Sequence, residues 1–205
     1  MAVQDKKWAI KIYHLLAKPL IYQQIWSDAK FVLLEDEDSK LNNVLDISGL
    51  DVIIKISDNI DFMGQRFRRY DKSLAKSYDD FTLRDERPYS GYKAEAHKLL
   101  SAYRQGQNIA KYYAYGHVND DETGFAKFRI LYTREFLKKW DNNELTEPVR
   151  MLNLDDSSYF LAWKFKNLPP ECIFWELNVP TKLEQKQVRL GCACAAKDER
   201  WEVSC

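Results

Sequence analysis

A chain of 205 residues is long enough for one domain with a sizeable core, and 45% hydrophobic and 14% aromatic residues supply that core. Seven Gly and six Pro exclude a fibrous or low-complexity chain. Thirty-one Lys and Arg against thirty-one Asp and Glu leave no net charge, so any affinity for nucleic acid must come from a local patch.

Residues 6–26 (KKWAIKIYHLLAKPLIYQQIW) predict a helix, with Trp8, Ile12, Leu15, Leu16, Tyr22 and Trp26 near one stripe and Pro19 kinking or breaking it. Residues 30–34 (KFVLL) fit a short strand or a helix end, and 35–40 (EDEDSK) an acidic loop. Gly49–Ile56 (GLDVIIKI) is apolar and β-branched and predicts a strand. Ser57-Asp58-Asn59 is a turn, and 60–69 a second strand, completing a hairpin. A polar loop (71–80) and a short strand (81–84) follow.

Residues 91–104 (GYKAEAHKLLSAYR) predict a helix with Tyr92, Ala96, Leu99 and Tyr103 on one face, stopped by Gly106. Residues 109–118 and 125–132 predict strands around the turn 119–124 (NDDETG), and Thr133 caps a short helix. Beyond 141 the pattern weakens. Residues 159–166 and 172–178 are strand candidates on either side of Pro169-Pro170. This is an α/β pattern around a mixed central sheet flanked by helices. A single domain over 1–205 is expected, its core at about 1–140 and 141–205 forming a C-terminal extension packed on it.

Met1–Lys7 is polar, no long apolar run follows, and no stretch nears the roughly 20 apolar residues of a membrane span. A cytoplasmic protein is the expectation. Cys172, Cys192, Cys194 and Cys205 cluster near the end. They lack the repeated CxxC spacing of a zinc site and read as free thiols more readily than as ligands. His14, His97 and His117 are scattered, without HxH or HExxH spacing, and no GxGxxG, Walker or GxSxG motif occurs.

The chemistry concentrates on the hairpin. Asp51 opens an apolar strand, where a carboxylate is costly unless paired, hydrated or bound to a cation. In a regular hairpin Gln65 on the next strand faces the same side, and both are hard oxygen donors that suit Mg²⁺. Arg66, Arg68 and Arg69, with Lys72 and Arg84, read either as a phosphate-binding patch or as a solvated strand edge.

Gly49-Leu50-Asp51-Val52-Ile53-Ile54, a turn, and Asp61 to Arg68 (DFMGQRFR) resemble the metal-binding core of the PD-(D/E)xK nuclease superfamily. In that superfamily an Asp begins one strand, and a Glu or Gln, any residue and a Lys follow on the next. The helix at 91–104 and the strand ending Tyr115-Gly116 continue the likeness, which covers about residues 30–140. The resemblance implies a restriction-endonuclease-like fold and a DNA endonuclease that hydrolyses phosphodiester bonds.

It also implies that Asp51 and Gln65 hold Mg²⁺ or Mn²⁺, with upstream Glu35 completing the site, and that the cation activates water and stabilises developing charge. Phe67 stands where the family carries its lysine; Lys93, near the apolar face of the next helix, is the substitute candidate. The competing expectation is a catalytically inactive nuclease-fold protein that binds nucleic acid or a protein partner. A homo-oligomer or larger assembly is the third, since Trp163, Trp175 and Trp201 would bury either in a partner or in the chain's own core.

Overall fold

The computed structural model describes residues 3–34, 50–70, 79–86, 94–153 and 158–177. The side chains of residues 3–5 lie outside that description. Helix α1 (Val3–Ile12) opens the chain and runs without a break into a π-helix (Tyr13–Tyr22) and a final turn, α2 (Gln23–Ile25). Of the two outcomes expected at Pro19, a kink or a break, the break does not occur; Pro19 sits inside the π-helical segment. Gln23 N–H reaches back five residues to Lys18 O, the wider hydrogen-bond ring of a π-helix.

Strand β1 (Lys30–Leu33) pairs antiparallel with β2 (Val52–Ile56), and β2 with β3 (Asn59–Arg69). The β2–β3 turn is tight: Ile56 opposes Asn59, and Ser57 takes a φ of 52° to make the reversal. Strand β4 (Asp80–Glu86) leaves this sheet, and helix α3 (Glu95–Arg104) carries the chain back to β5 (Tyr112–Val118). β5 lies parallel to β3, Met63 opposite Tyr112 and Phe67 opposite Gly116. A parallel neighbour needs such a crossover, because a tight turn can only reverse the chain. β6 (Phe125–Tyr132) returns antiparallel, followed by helix α4 (Thr133–Asp141). Thr133 is the first helical residue rather than the cap, and no side chain caps this helix.

Three late strands complete the two sheets. β7 (Val149–Leu152), which the sequence does not signal, pairs with β8 (Tyr159–Lys164), and β8 with β4. β9 (Ile173–Leu177) pairs with β6. Among the described residues the order is β1-β2-β3-β5-β6-β9 in the larger sheet and β4-β8-β7 in the smaller. Strands from beyond residue 141 therefore belong to both sheets. Trp163 is buried in the chain's own core, and Trp175 packs against Phe128.

Two large cores follow from this layering among the described residues, beside a small cluster of Leu34, Leu50 and Ala110. The first lies between α1, the π-helix and one face of the larger sheet, with Tyr13, Leu16, Tyr22, Val52, Met63, Phe67 and Phe128. The second lies on the opposite face, under α3, α4 and the smaller sheet, with Phe81, Leu83, Leu99, Tyr113, Tyr115, Phe136 and Trp163. β5 runs between them with all seven residues buried, as an interior strand must be. Tyr112, Tyr113 and Tyr115 are thus core residues. Arg129 on β6 clamps the layers: it pairs with Asp79 just before β4 (2.5 Å) and with Glu176 on β9 (2.6 Å).

Phe67, Gly116 and Phe128 share one row across β3, β5 and β6. A Cβ on Gly116 would lie 2.8 Å from the Phe125 ring and 2.9 Å from that of Phe128. Glycine here makes room for three packed rings, Phe67 being 5.9 Å from Phe125 between centroids. Gly116→Ala is expected to overpack this cluster and cost about 1–3 kcal/mol. Urea unfolding measures it; a variant as stable as the native chain would show that the rings yield without cost.

Candidate functional site

The hairpin brings Asp51 and Gln65 together. Asp51 N–H donates to Met63 O (3.0 Å), and the Gln65 N–H donates to Asp51 Oδ2 at 2.5 Å. The carboxylate caps the end of the β2–β3 ladder and satisfies a main-chain donor beside the end of that ladder. Strand alternation places Met63, Gln65 and Phe67 on the face of the first core. There the Tyr22 hydroxyl, at the end of the π-helix, donates to Gln65 Oε1 at 3.1 Å. Burial raises the Tyr22 pKa well above that of a free phenol; Tyr13 and the Asp51 charge add to the rise. Tyr22 therefore keeps its proton and remains a donor.

Asp51 also acts on the opposite face. Burial raises the Tyr113 pKa well above its ordinary value, and the charges of Glu95 and Asp51 push the same way against Arg66. Tyr113 donates to Glu95 Oε1. Glu95, the first residue of α3, takes Arg66 and the Arg84 N–H (3.2 Å) on its other oxygen. Arg66 also donates to Thr82 O (3.1 Å). Burial alone would raise the Glu95 pKa, but Arg66, Tyr113 and the Arg84 amide together hold it below the usual carboxylate range. Burial likewise works against the charge on Arg66, and Glu95 and the two tyrosines outweigh it.

The arginines divide accordingly. Arg66 and Arg68 point away from Gln65, towards the smaller sheet. Arg68 donates to Thr82 Oγ1 (2.9 Å) and lies 5.2 Å from the Phe160 ring centroid. Arg84, on β4, belongs to the same side. Arg69 alone shares the face of Gln65; it is 66% exposed and lies 4.5 Å above the Trp8 ring. Lys11 stands beside it, since both approach Glu122.

Glu35, Lys93 and Lys72 lie outside the described residues, as do Cys192, Cys194 and Cys205. Cys172 is buried, and burial pushes its thiol up to about 11. His117 is held neutral, down at about 4, chiefly by burial and then by the Arg68 charge. Among the described residues no three His, Cys, Asp or Glu side chains cluster as a metal site.

The donor set can be tested against Mg²⁺. The Asp51 carboxylate accepts the Gln65 N–H on Oδ2, and Gln65 Oε1 accepts the Tyr22 hydroxyl, leaving that amide oxygen a second lone pair. Mg²⁺ keeps several waters and needs only one or two protein oxygens. The pair fits a hydrated divalent cation. Glu95 was not anticipated from sequence; its only signal was an acid in the first turn of a helix, and its partner Arg66 lies 29 residues away.

Comparison with protein-family models, with curated proteins and with solved structures gives no match. No described helix is long and apolar enough to cross a membrane.

Glu95→Gln should leave Arg66 without its counter-charge and cost about 2–5 kcal/mol at neutral pH. The Glu95 pKa is depressed on folding, so its contribution is present above the ordinary carboxylate pKa of about 4.5 and fades as pH falls through the folded value. Denaturant unfolding at pH 7 and pH 3 checks this: the gap between native and variant should narrow at pH 3. An equal gap at both pH values would contradict it.

Proposed function

We propose that this chain is a metal-dependent nuclease acting on DNA, with a restriction-endonuclease-like fold of the PD-(D/E)xK kind. Asp51 and Gln65 hold Mg²⁺ or Mn²⁺ in this reading. The observation that carries it is the meeting of Asp51 and Gln65 at the end of two adjacent strands. The succession hairpin, helix α3 and parallel strand β5 supports the same assignment, because it is the order the sequence resemblance implies.

The cation would supply charge neutralisation at the phosphodiester and water acidified for attack. The chain supplies the rest. The Asp51 carboxylate and the Gln65 amide oxygen bind and orient. The buried Phe67, with Phe125 and Phe128, dries the floor next to Gln65. Arg69, 66% exposed on the face of Gln65, is the arginine placed to contact DNA phosphates, since Arg66 is tied to Glu95 and Lys11 to Glu122. Glu35 and Lys93 remain candidates for a further ligand and for the missing lysine.

Phe67 favours a second reading, a catalytically inactive nuclease-fold protein that binds nucleic acid or a protein partner within an assembly. Its ring is 8% exposed and packs over Gly116, so no basic group from this position reaches the site.

Supercoiled plasmid incubated with Mg²⁺, Mn²⁺ or EDTA decides between the two. The nuclease reading expects metal-dependent nicking that falls about a hundredfold or more in Asp51→Ala. Nicking undiminished in that variant would overturn the site, and salt-sensitive DNA binding without cleavage would favour the second reading.

A further inference from the structure

The π-helix is the least ordinary element of the chain, and its consequence is local to Gln65. Ten residues of continuous π-helix depart from the usual single π-turn. In an α-helix two residues nine apart lie about half a turn from each other, on opposite faces. Tyr13 and Tyr22 are nine apart, yet both are buried on the same side, with ring centroids 6.2 Å apart. At about 4.4 residues per turn, nine residues make roughly two full turns, and the two rings align. Tyr13 and Tyr22 follow this wider spacing, while Leu16, Ala17 and Ile21 are buried between them. Pro19 lies within this segment and has no N–H to give to either an α- or a π-helical ladder. In an α-helical register Tyr22 would turn to the outer face, and Gln65 Oε1 would lose its donor.

Gln65 needs that donor because a carboxamide has two unlike ends. Asp51, whose Oδ2 already takes the Gln65 main-chain N–H, attracts donors, and the side-chain NH₂ of Gln65 is one. A flipped amide would present nitrogen where a cation requires oxygen. The Tyr22 hydroxyl donates to Gln65 Oε1 at 3.1 Å, and that hydrogen bond favours the orientation with Oε1 towards it.

Building on the metal-site reading, we infer that Tyr22 is a positioning residue, delivered by the π-helical register, that fixes the Gln65 carboxamide with its oxygen available to a divalent cation beside Asp51. Tyr22 touches neither cation nor substrate in this role. It acts through Gln65, as an outer partner that orients a ligand.

Mn²⁺ titration of the full chain by calorimetry tests it, with Tyr22→Phe made in the native chain and in a Gln65→Glu background. Asp51→Asn serves as the marker of the site. Tyr22→Phe should weaken Mn²⁺ binding about 10- to 100-fold in the native chain. It should change little with Glu at 65, whose two ends are both oxygen and need no selection. Equal losses in both backgrounds would overturn the inference and mark Tyr22 as merely structural. No loss in the native chain would overturn it too, provided Asp51→Asn still abolishes binding. If the native chain binds no Mn²⁺, or binds it equally well with Asn at 51, the metal-site reading itself falls and the inference with it.

Discussion

Strand β3 has to serve two layers at once, and most of the structure follows from that constraint. Its side chains alternate, so Met63, Gln65, Phe67 and Arg69 go to the helix side while Arg66 and Arg68 go to the smaller sheet. On the helix side the needs are apolar, and the Phe67, Phe125 and Phe128 rings fill the space above Gly116. On the other side a partly buried arginine lies beside tyrosines, and its charge is balanced by Glu95. The ion pair also ties the start of α3 to β3 and β4, and so fixes the crossover that makes β5 parallel. A one-residue slip of β3 would put both arginines into the aromatic core and Gln65 away from Tyr22.

The same constraint explains how three neighbouring arginines acquire different roles. Sequence proximity groups Arg66, Arg68 and Arg69 into one basic run, but alternation splits it. Two turn, partly buried, towards the smaller sheet, and the third stays at the surface on Trp8. A phosphate patch built from all of them would need a strand twisted through half a turn between neighbours.

Much of the hairpin was legible because its signals are local. β-branched apolar residues and a turn triplet give β3 to within a residue and the end of β2, which begins at Val52 rather than Gly49, and the carboxylate before it brings Asp51 to Gln65. Pro19, expected to kink or break the helix, does not break it: that expectation assumes an α-helical ladder, whereas Tyr13 and Tyr22, nine residues apart, are buried on the same side of a π-helical one. β7 left no signal because Val149 and Leu152 are exposed on a short outer strand, without the alternation that burial imposes. β4 read as a strand, but nothing within seven residues can say that its partner is β8, some eighty residues on. Glu95 was invisible for the same reason, since its meaning lies wholly in partners far along the chain.

A Mn²⁺-soaked crystal examined by anomalous scattering tests the central claim most directly. The account predicts a peak within coordination distance, about 2.0–2.3 Å, of an Asp51 carboxylate oxygen and of Gln65 Oε1. Those oxygens left unligated at saturating Mn²⁺, or a peak held elsewhere in the molecule, would contradict it.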